Sequence, residues 1–210
     1  MKKIIVFASG GGSNFEALCQ AAKSKVFDGK IVLLVASKLG LGAESKAVRF
    51  NIPVYVEGTF PEATNILSSE ENKGYNAAYN RQSVDKEELI SQIKFYEPDL
   101  ICLAGYLKKV PREILEICPV INIHPALLPS FGGKGMYGRH VHEAVLKSGA
   151  KASGATVHFV DGEYDNGKII MQESVPVLSG DTPETLAARV LEVEHKIYPL
   201  CVKKVLQKEG

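Results

Sequence analysis

Two polar side chains interrupt an apolar segment in the middle of the chain. Asn122 and His124 lie two residues apart in the sequence PVINIHP. Side chains at this spacing lie on the same face of a β-strand, so an amide stands next to an imidazole. Such a pair can stabilise the negative charge that develops on a carbonyl oxygen under attack. A buried histidine with a structural role is the alternative, but a polar pair at a strand end favours a site for carbonyl chemistry.

The sequence SGGGSN at residues 9–14 contains three consecutive glycines directly after an apolar segment. Glycines allow close approach of a ligand to the backbone, and the N–H groups at the start of a helix favour an anion. We therefore predict that a phosphate binds Gly11, Gly12, Ser13 and Asn14, and that a side chain at Gly12 would enter the phosphate's space. The pattern is neither a P-loop nor a complete G-x-G-x-x-G. A tight strand-to-helix turn is the structural alternative.

A third polar cluster, DGEYDNG at residues 161–167, separates two segments rich in β-branched residues. Asp, Asn and Gly favour turns, so the carboxylates of Asp161 and Asp165 have a structural explanation. A carboxylate can also carry a proton in catalysis. From these residues alone both roles are open, and His158 on the preceding segment is either a core residue or a support for the site.

The elements that must position these residues follow from the hydrophobic pattern. Continuous apolar segments indicate buried parallel strands, and apolar residues spaced three and four apart indicate helices. We predict strands at residues 3–8, 31–36, 53–56, 99–104 and 119–123, and helices at 14–24, 42–50, 85–95 and 111–117. This alternation predicts an α/β fold with a Rossmann-like, mostly parallel sheet flanked by helices. Ligands bind such sheets at the carboxyl ends of the strands, where the first two polar clusters lie.

The last part of the chain has a different pattern. An antiparallel strand pair is predicted at residues 154–160 and 169–177, followed by a long helix at 182–206. Thr182 is expected to be the N-cap of this helix. Residues 57–84 have no clear period, and we predict a long loop or an insertion near a ligand.

The composition limits the classes of function. The 25 basic and 24 acidic residues give a net charge of +1, which argues against attraction of nucleic acid by the overall field. No apolar segment approaches the ~20 residues of a membrane-spanning helix. The amino-terminal apolar segment is too short for a signal peptide. The four cysteines form no C-x-x-C pair, so we expect reduced core residues, no metal site and a cytoplasmic protein.

Several motifs occur in an order that is typical of one family. They are SGGGSN at 9–14, LAGYLK at 103–108, NIHPALLP at 122–129, D-x-G at 165–167 and VEHKIYP at 193–199. With these motifs the chain resembles the phosphoribosylglycinamide formyltransferases, folate-dependent enzymes of purine synthesis, over essentially its whole length. The NIHPxLLP motif is specific for folate-dependent formyltransferases as a group. The glycine-rich segment and the EHxIYP end are typical of the glycinamide family.

The resemblance implies an activity and the residues that perform it. The family transfers the formyl group of 10-formyltetrahydrofolate to the amine of glycinamide ribonucleotide, giving formylglycinamide ribonucleotide and tetrahydrofolate, without a metal. Its catalytic trio matches Asn122, His124 and Asp165. By this match, Asn122 and a protonated His124 stabilise the oxyanion. Asp165 holds His124 in its charged form and relays a proton through water to the leaving folate nitrogen.

The resemblance also implies a single formyltransferase domain over residues 1–210. Residues 1–124 are expected to form the Rossmann-like part that binds the ribotide, and residues 125–210 the folate-binding and catalytic part. The ribotide is expected at Gly11, Gly12, Ser13, Asn14 and Glu194. The folate is expected at Arg81, Asn122 and the backbone of Leu107, Lys108, Lys109 and Val110, near the apolar Ile101, Leu103 and Val160. Family members often have Met-Arg-Ile-Leu where this chain has Leu-Lys-Lys-Val, a change that keeps backbone contacts but not the arginine contact.

Other functions share some of these features. A formyltransferase acting on methionyl-tRNA has the same trio, but it normally adds a C-terminal β-barrel and a basic surface. A 10-formyltetrahydrofolate hydrolase needs an additional N-terminal domain, whereas residue 4 already lies in the first predicted strand. A non-catalytic nucleotide-binding module or a dinucleotide oxidoreductase is a further alternative. An NAD site needs an acidic residue at the end of strand two, where this chain has Lys38 shortly after the strand. A lysine there suits the 2′-phosphate of NADP, so an NADP site is disfavoured but not excluded. We expect small-molecule substrates, no nucleic acid or membrane partner, and a monomer or homodimer.

Overall fold

A computed structural model describes residues 1–58 and 86–207. It contains a seven-stranded sheet with the order β3-β2-β1-β4-β5-β6-β7. The strands are β1 (Lys2–Ala8), β2 (Gly29–Ala36), β3 (Val54–Val56), β4 (Leu100–Leu103), β5 (Val120–His124), β6 (Ala152–Phe159) and β7 (Ile169–Pro176). The helices are α1 (Ser13–Lys23), α2 (Gly42–Arg49), α3 (Lys86–Tyr96), α4 (Arg112–Leu115), α5 (Arg139–Ser148) and α6 (Pro183–Gln207).

The sheet combines a parallel part with an antiparallel pair. Strands β1 to β5 run parallel, β6 is antiparallel to β5, and β7 is antiparallel to β6. This arrangement confirms the predicted α/β fold, including the strand pair and long helix near the carboxyl end of the chain. The bounds of the predicted elements differ from the observed ones by at most two residues. Of the predicted loop at 57–84, all but the first two residues lie outside the described part of the chain.

Helix α5 is the described element that the sequence analysis did not predict. Its short apolar stripe places Val141 and Val145 in the core one helical turn apart. Gly138 precedes the helix, and Gly149 ends it in the left-handed conformation with φ of 72°. The start of the helix is difficult to recognise after a glycine-rich sequence, and its four apolar residues in ten give a weak periodic signal.

The core lies on both faces of the sheet. One apolar cluster joins the sheet to α1, α2, α5 and α6, and the second joins the other face to α3 and α4. Strands β1 and β4 contribute to both clusters, which explains their continuous apolar sequences. Three of the four cysteines are buried, as predicted for core residues, and Cys118 is half-buried.

The long helix α6 has a cap at its start and a contact to the sheet in its middle. At its start, the backbone N–H of Thr185 donates to the Thr182 hydroxyl at 3.3 Å, which confirms Thr182 as a capping residue. In its middle, the buried Tyr198 hydroxyl lies 2.9 Å from the Leu103 carbonyl and 3.3 Å from the Ile121 carbonyl. These carbonyls belong to β4 and β5, so Tyr198 sets the position of α6 relative to these two strands. None of the helices in the described ranges is long and apolar enough to cross a membrane.

Candidate active site

A cavity of about 680 Å³ lies at the carboxyl ends of β4 and β5, within the size range of ligand sites. Most of the predicted site residues line it: Asn14, Leu107, Lys108, Lys109, Val110, Asn122, His124, Asp165 and Glu194. Leu103 and Val160 also line it, whereas Ile101 is a core residue that does not. Gly11, Gly12 and Ser13 lie beside the cavity rather than in its wall. The predicted Arg81 falls outside the described residues.

Strand β5 delivers Asn122 and His124 to the same side of the sheet, as their spacing predicts. His124 is 4% exposed, and its Nε2 lies 2.8 Å from the Phe131 carbonyl oxygen. Because a carbonyl oxygen only accepts hydrogen bonds, Nε2 carries a hydrogen. In the neutral ring Nδ1 therefore has a free lone pair, and it faces Asp165 Oδ2 at 3.5 Å.

Asp165 reaches the pair from the loop between β6 and β7. Its backbone has φ of 52°, a left-handed conformation in which Asp and Asn are among the more tolerated residues. The N–H of Gly133 donates to Asp165 Oδ2 at 2.9 Å, and Asn122 Nδ2 lies 3.4 Å from Oδ1. Gly167 closes the turn so tightly that a Cβ there would come within 1.8 Å of the Phe159 carbonyl oxygen. The D-x-G sequence therefore has a structural task, and the same turn brings a carboxylate to the imidazole.

Burial and the neighbouring carboxylate act in opposite directions on His124. Burial lowers the pKa of His124, and Asp165 and the Phe131 carbonyl raise it without cancelling that effect. We expected Asp165 to hold His124 in the charged form. The geometry shows that Asp165 favours a proton on Nδ1, but desolvation outweighs it, so His124 is neutral at neutral pH when the cavity holds no ligand.

His158 contacts Asn122 and lies 3.6 Å from Asp165. Its Nδ1 donates to the Phe159 carbonyl at 2.8 Å, which leaves Nε2 to accept from Asn122 Nδ2 at 3.1 Å. Burial by itself raises the pKa of Asp165, but His158, His124 and the Gly133 N–H lower it in sum. Asp165 is therefore ionised at neutral pH. Of the two roles that the sequence left open for His158, the structure supports a buried residue that orients the site.

The glycine-rich loop joins β1 to α1 and packs against α2. Gly12 has φ of 72° and precedes α1, so the first N–H groups of that helix have no partner inside it. A Cβ at Gly12 would lie 2.7 Å from Cα and Cβ of Ala43. The expectation that a side chain here would enter the phosphate's space is therefore wrong, because it would meet helix α2 instead. At Gly11, by contrast, nothing lies within 4 Å of an added Cβ.

Asn14 and Glu194 form a buried pair at the cavity wall. Asn14 Nδ2 donates to Glu194 Oε2 at 2.5 Å, and the two residues are 8% and 7% exposed. Burial raises the pKa of Glu194 to about 7, against the opposing effect of the Asn14 hydrogen bond. Asn14 Oδ1 is buried and has no hydrogen-bond partner in the structure. The pair thus offers the carboxyl group of Glu194 to a ligand with hydroxyl or amine donors.

The loop after β4 exposes a backbone segment to the cavity. Leu107, Lys108 and Lys109 are exposed, and Val110 returns to the core. Beneath the loop, the buried Glu57 accepts hydrogen bonds from the Tyr106 hydroxyl and the Lys108 ammonium. Sequence analysis missed Glu57, because it lies at the start of the segment without a clear period.

A buried network holds the chain that follows His124. The Thr156 hydroxyl donates to the Ala126 carbonyl at 2.6 Å and accepts from the Leu128 N–H at 3.1 Å. Gln172 Nε2 donates to both the Leu128 carbonyl and the Thr156 hydroxyl at 2.8 Å. Thr156 and Gln172 come from β6 and β7, and a threonine in a β-rich segment gives no sequence signal for this role. Within the described ranges, no group of three or more His, Cys, Asp or Glu could hold a metal ion.

Comparison with known proteins identifies a matching family and relatives of similar sequence. Residues 2–202 match the formyl transferase family. The chain is 35% identical over 208 residues to the phosphoribosylglycinamide formyltransferase of Bacillus subtilis, covering 98% of this chain and 95% of that protein. It is 45% identical over 199 residues to the chloroplastic phosphoribosylglycinamide formyltransferase of Arabidopsis thaliana, covering 94% of this chain and 63% of that protein. The chain spans less than two thirds of the length of this plant relative and of a second one from Vigna unguiculata.

A solved structure with a similar sequence has the same fold. The crystal structure of phosphoribosylglycinamide formyltransferase from Bacillus halodurans superposes with a TM-score of 0.80. The two sequences are 32% identical, and the match covers 100% of this chain and 97% of that chain.

Proposed function

Because this chain belongs to the formyl transferase family, we propose that it transfers a formyl group from 10-formyltetrahydrofolate to the amine of glycinamide ribonucleotide. The observation that carries the proposal is the meeting of Asn122, His124 and Asp165 in a cavity whose wall also contains Asn14 and Glu194. In the reaction, the amine nitrogen bonds to the formyl carbon, and the bond from that carbon to folate N10 breaks. One proton leaves the amine and one reaches N10, so no outside oxidant or reductant takes part.

Asn122 and His124 are assigned to the oxygen of the formyl group. The Asn122 amide can turn one N–H from its present partners toward a developing oxyanion. Negative charge in the cavity also raises the proton affinity of His124, since a nearby anion favours the imidazolium. A proton on Nδ1 would then face Asp165 Oδ2, and the positive ring would stabilise the oxyanion through its charge. The neutral resting state of His124 is compatible with this step, because the imidazolium is required only when the oxyanion forms.

Asp165 is assigned to the proton that leaves the amine. It is ionised in the resting site and half-buried, and it lies on a loop at the cavity wall. A carboxylate in this position can accept a proton through a water molecule and return it to the leaving nitrogen. The Gly133 N–H at 2.9 Å keeps Oδ2 in place during this transfer.

The ribotide is assigned to the side of the cavity formed by α1 and α6. The free N–H groups at the start of α1, together with Gly11 and Ser13, suit a phosphate. The carboxyl group of Glu194 suits the hydroxyls of a ribose rather than the phosphate, because a carboxyl oxygen accepts hydrogen bonds and repels an anion.

The folate is assigned to the side formed by the loop after β4. The backbone of residues 107–110 lines the cavity and can pair with the N–H and carbonyl groups of a pterin, except for the Leu107 N–H, which donates to the Ser9 hydroxyl. Leu103 and Val160 give the pterin ring an apolar wall. The side chains of Lys108 and Lys109 are not required for these backbone contacts. A small-molecule reaction of this kind needs no metal, nucleic acid or membrane, and we place it in the cytoplasm with the protein as a monomer or homodimer.

A donor-consumption assay tests the proposal. The purified protein is incubated with 10-formyltetrahydrofolate, with and without glycinamide ribonucleotide, and release of tetrahydrofolate is followed. Release that requires the ribotide supports the proposal. Release at the same rate without ribotide indicates a hydrolase and contradicts it, as does release that requires methionyl-tRNA instead.

A further inference from the structure

A buried carboxylate lies beneath the loop after β4 and outside the catalytic trio. Glu57 directly follows β3 and is 6% exposed. Its Oε1 accepts a hydrogen bond from the Tyr106 hydroxyl, and its Oε2 accepts one from the Lys108 ammonium. Ionised groups are rarely buried unless they are paired and hydrogen-bonded, and here both oxygens have partners. Burial, with the hydrogen bond to Glu57, raises the pKa of Tyr106, so its hydroxyl keeps the proton that it donates.

The loop also contacts the end of β1 and the residue that follows it. The Ser9 N–H donates to the Gly105 carbonyl at 3.1 Å, and the Leu107 N–H donates to the Ser9 hydroxyl at 3.0 Å. The Tyr106 ring packs edge-to-face on Phe7, with the ring centroids 5.1 Å apart. These contacts hold the loop from Gly105 to Leu107.

Glu57 holds the same loop from the other side. Strand β3 is the sheet edge, separated from β4 by β2 and β1. The contacts from Glu57 to Tyr106 and Lys108 therefore cross the top of the parallel sheet. An exposed loop without helix or strand hydrogen bonds keeps one geometry only if side chains such as these fix it.

We propose that Glu57 is a positioning residue for folate recognition, which acts through Tyr106 and Lys108 to fix the backbone of residues 107–110. This inference rests on the proposed function, since it assigns those backbone groups to the pterin. It also gives Lys108 a role: its ammonium is the internal partner of Glu57 and not a contact to the ligand. Loss of the contacts from Glu57 to Tyr106 and Lys108 therefore weakens binding on the folate side of the cavity and leaves binding on the ribotide side unchanged.

Separate binding measurements test this inference. We would titrate the protein with a 10-formylfolate analogue that cannot transfer its formyl group, and in parallel with glycinamide ribonucleotide. Glu57→Gln places an amide against the Lys108 ammonium and removes the charge. We expect the Kd for the analogue to rise about tenfold, as for loss of one coupled contact, and the Kd for the ribotide to stay within about twofold.

Two further variants complete the design. Lys108→Met should weaken analogue binding in the same way, and combining it with Glu57→Gln should add little, because both remove the same contact. Glu97→Gln is the matched control: it breaks the exposed 3.0 Å ion pair with Lys3 at the amino ends of the strands, far from the cavity. This control should bind both ligands like the wild type.

The outcomes separate the possibilities. Unchanged analogue binding in Glu57→Gln and Lys108→Met overturns the inference, and so does an equal loss for both ligands, which indicates a general structural role. If Glu57→Gln does not fold, Lys108→Met and Tyr106→Phe decide by the same criteria. A wild-type protein that binds the ribotide but not the analogue overturns the proposed function, and this inference with it.

Discussion

The buried carboxyl group of Glu194 makes the stability of the protein depend on pH. Burial raises the pKa of Glu194 from 4.5 to about 7, so the folded protein binds this proton more tightly than the unfolded chain. The contribution of Glu194 to stability is fully present below the pKa that this group has in the unfolded chain. It is lost as the pH rises through the pKa that the group has in the folded protein. At about 1.4 kcal/mol per pKa unit, the free energy of unfolding falls by about 3 kcal/mol across this range.

Glu194→Gln isolates this effect. Glutamine has nearly the same shape and cannot ionise, and its amide oxygen can still accept the hydrogen bond from Asn14. The variant should match the wild type at about pH 4.5 and exceed its free energy of unfolding by about 3 kcal/mol at about pH 8.5. For a domain of this size the difference corresponds to about 6–12 °C in Tm. Urea unfolding and thermal unfolding without ligands, across this pH range, measure it directly.

Glu192→Gln is the matched control, because Glu192 is exposed on the same helix. This control should follow the wild type at every pH. An advantage of Glu194→Gln that does not grow with pH would refute the reasoning, since it would mean that Glu194 ionises in the folded protein as easily as in the unfolded chain. An advantage that grows in both variants would point to a general charge effect of the helix.

Three further predictions concern the catalytic loop, the phosphate loop and the class of substrate. Asp165→Asn should lower kcat by about 100- to 10,000-fold with little change in KM, and should change the free energy of unfolding by no more than about 1 kcal/mol, because asparagine tolerates the same turn; steady-state kinetics and urea unfolding on one preparation check this. Gly11→Ala should raise the KM for the ribotide and leave Tm unchanged, whereas Gly12→Ala should lower Tm by several degrees because its Cβ meets Ala43; equal Tm values for the two variants would contradict this. A gel shift with initiator tRNA at low salt should show only weak retention, and tight, salt-sensitive binding would favour the tRNA-dependent alternative.

Much of the fold is encoded in local patterns that can be recognised without a structure. The buried parallel strands are continuous apolar segments, and Asn122 and His124 share a face because the period of a strand is two. The β6–β7 turn is visible in its Asp, Asn and Gly residues. These features depend on residues that are close together in the sequence, so the hydrophobic pattern and the turn residues predict them.

Other parts of the site depend on contacts between distant segments, and the sequence does not show these. Glu57 meets Lys108 across two intervening strands, and Ala43 closes the space beside Gly12 from another helix. The protonation of His124 depends on the balance between burial and the charge of Asp165. Both quantities are set by the packing of the whole cavity rather than by residue type.

Transfer of an isotope-labelled formyl group is the most direct test of the central claim, that this site moves the formyl group onto the ribotide amine. With labelled 10-formyltetrahydrofolate and glycinamide ribonucleotide, mass spectrometry follows where the label goes in the wild type and in Asp165→Asn. The account predicts label on the ribotide, matched one for one by tetrahydrofolate, and a rate at least about 100-fold lower in the variant. Label released as formate, or transfer by Asp165→Asn at more than about a tenth of the wild-type rate, would contradict it.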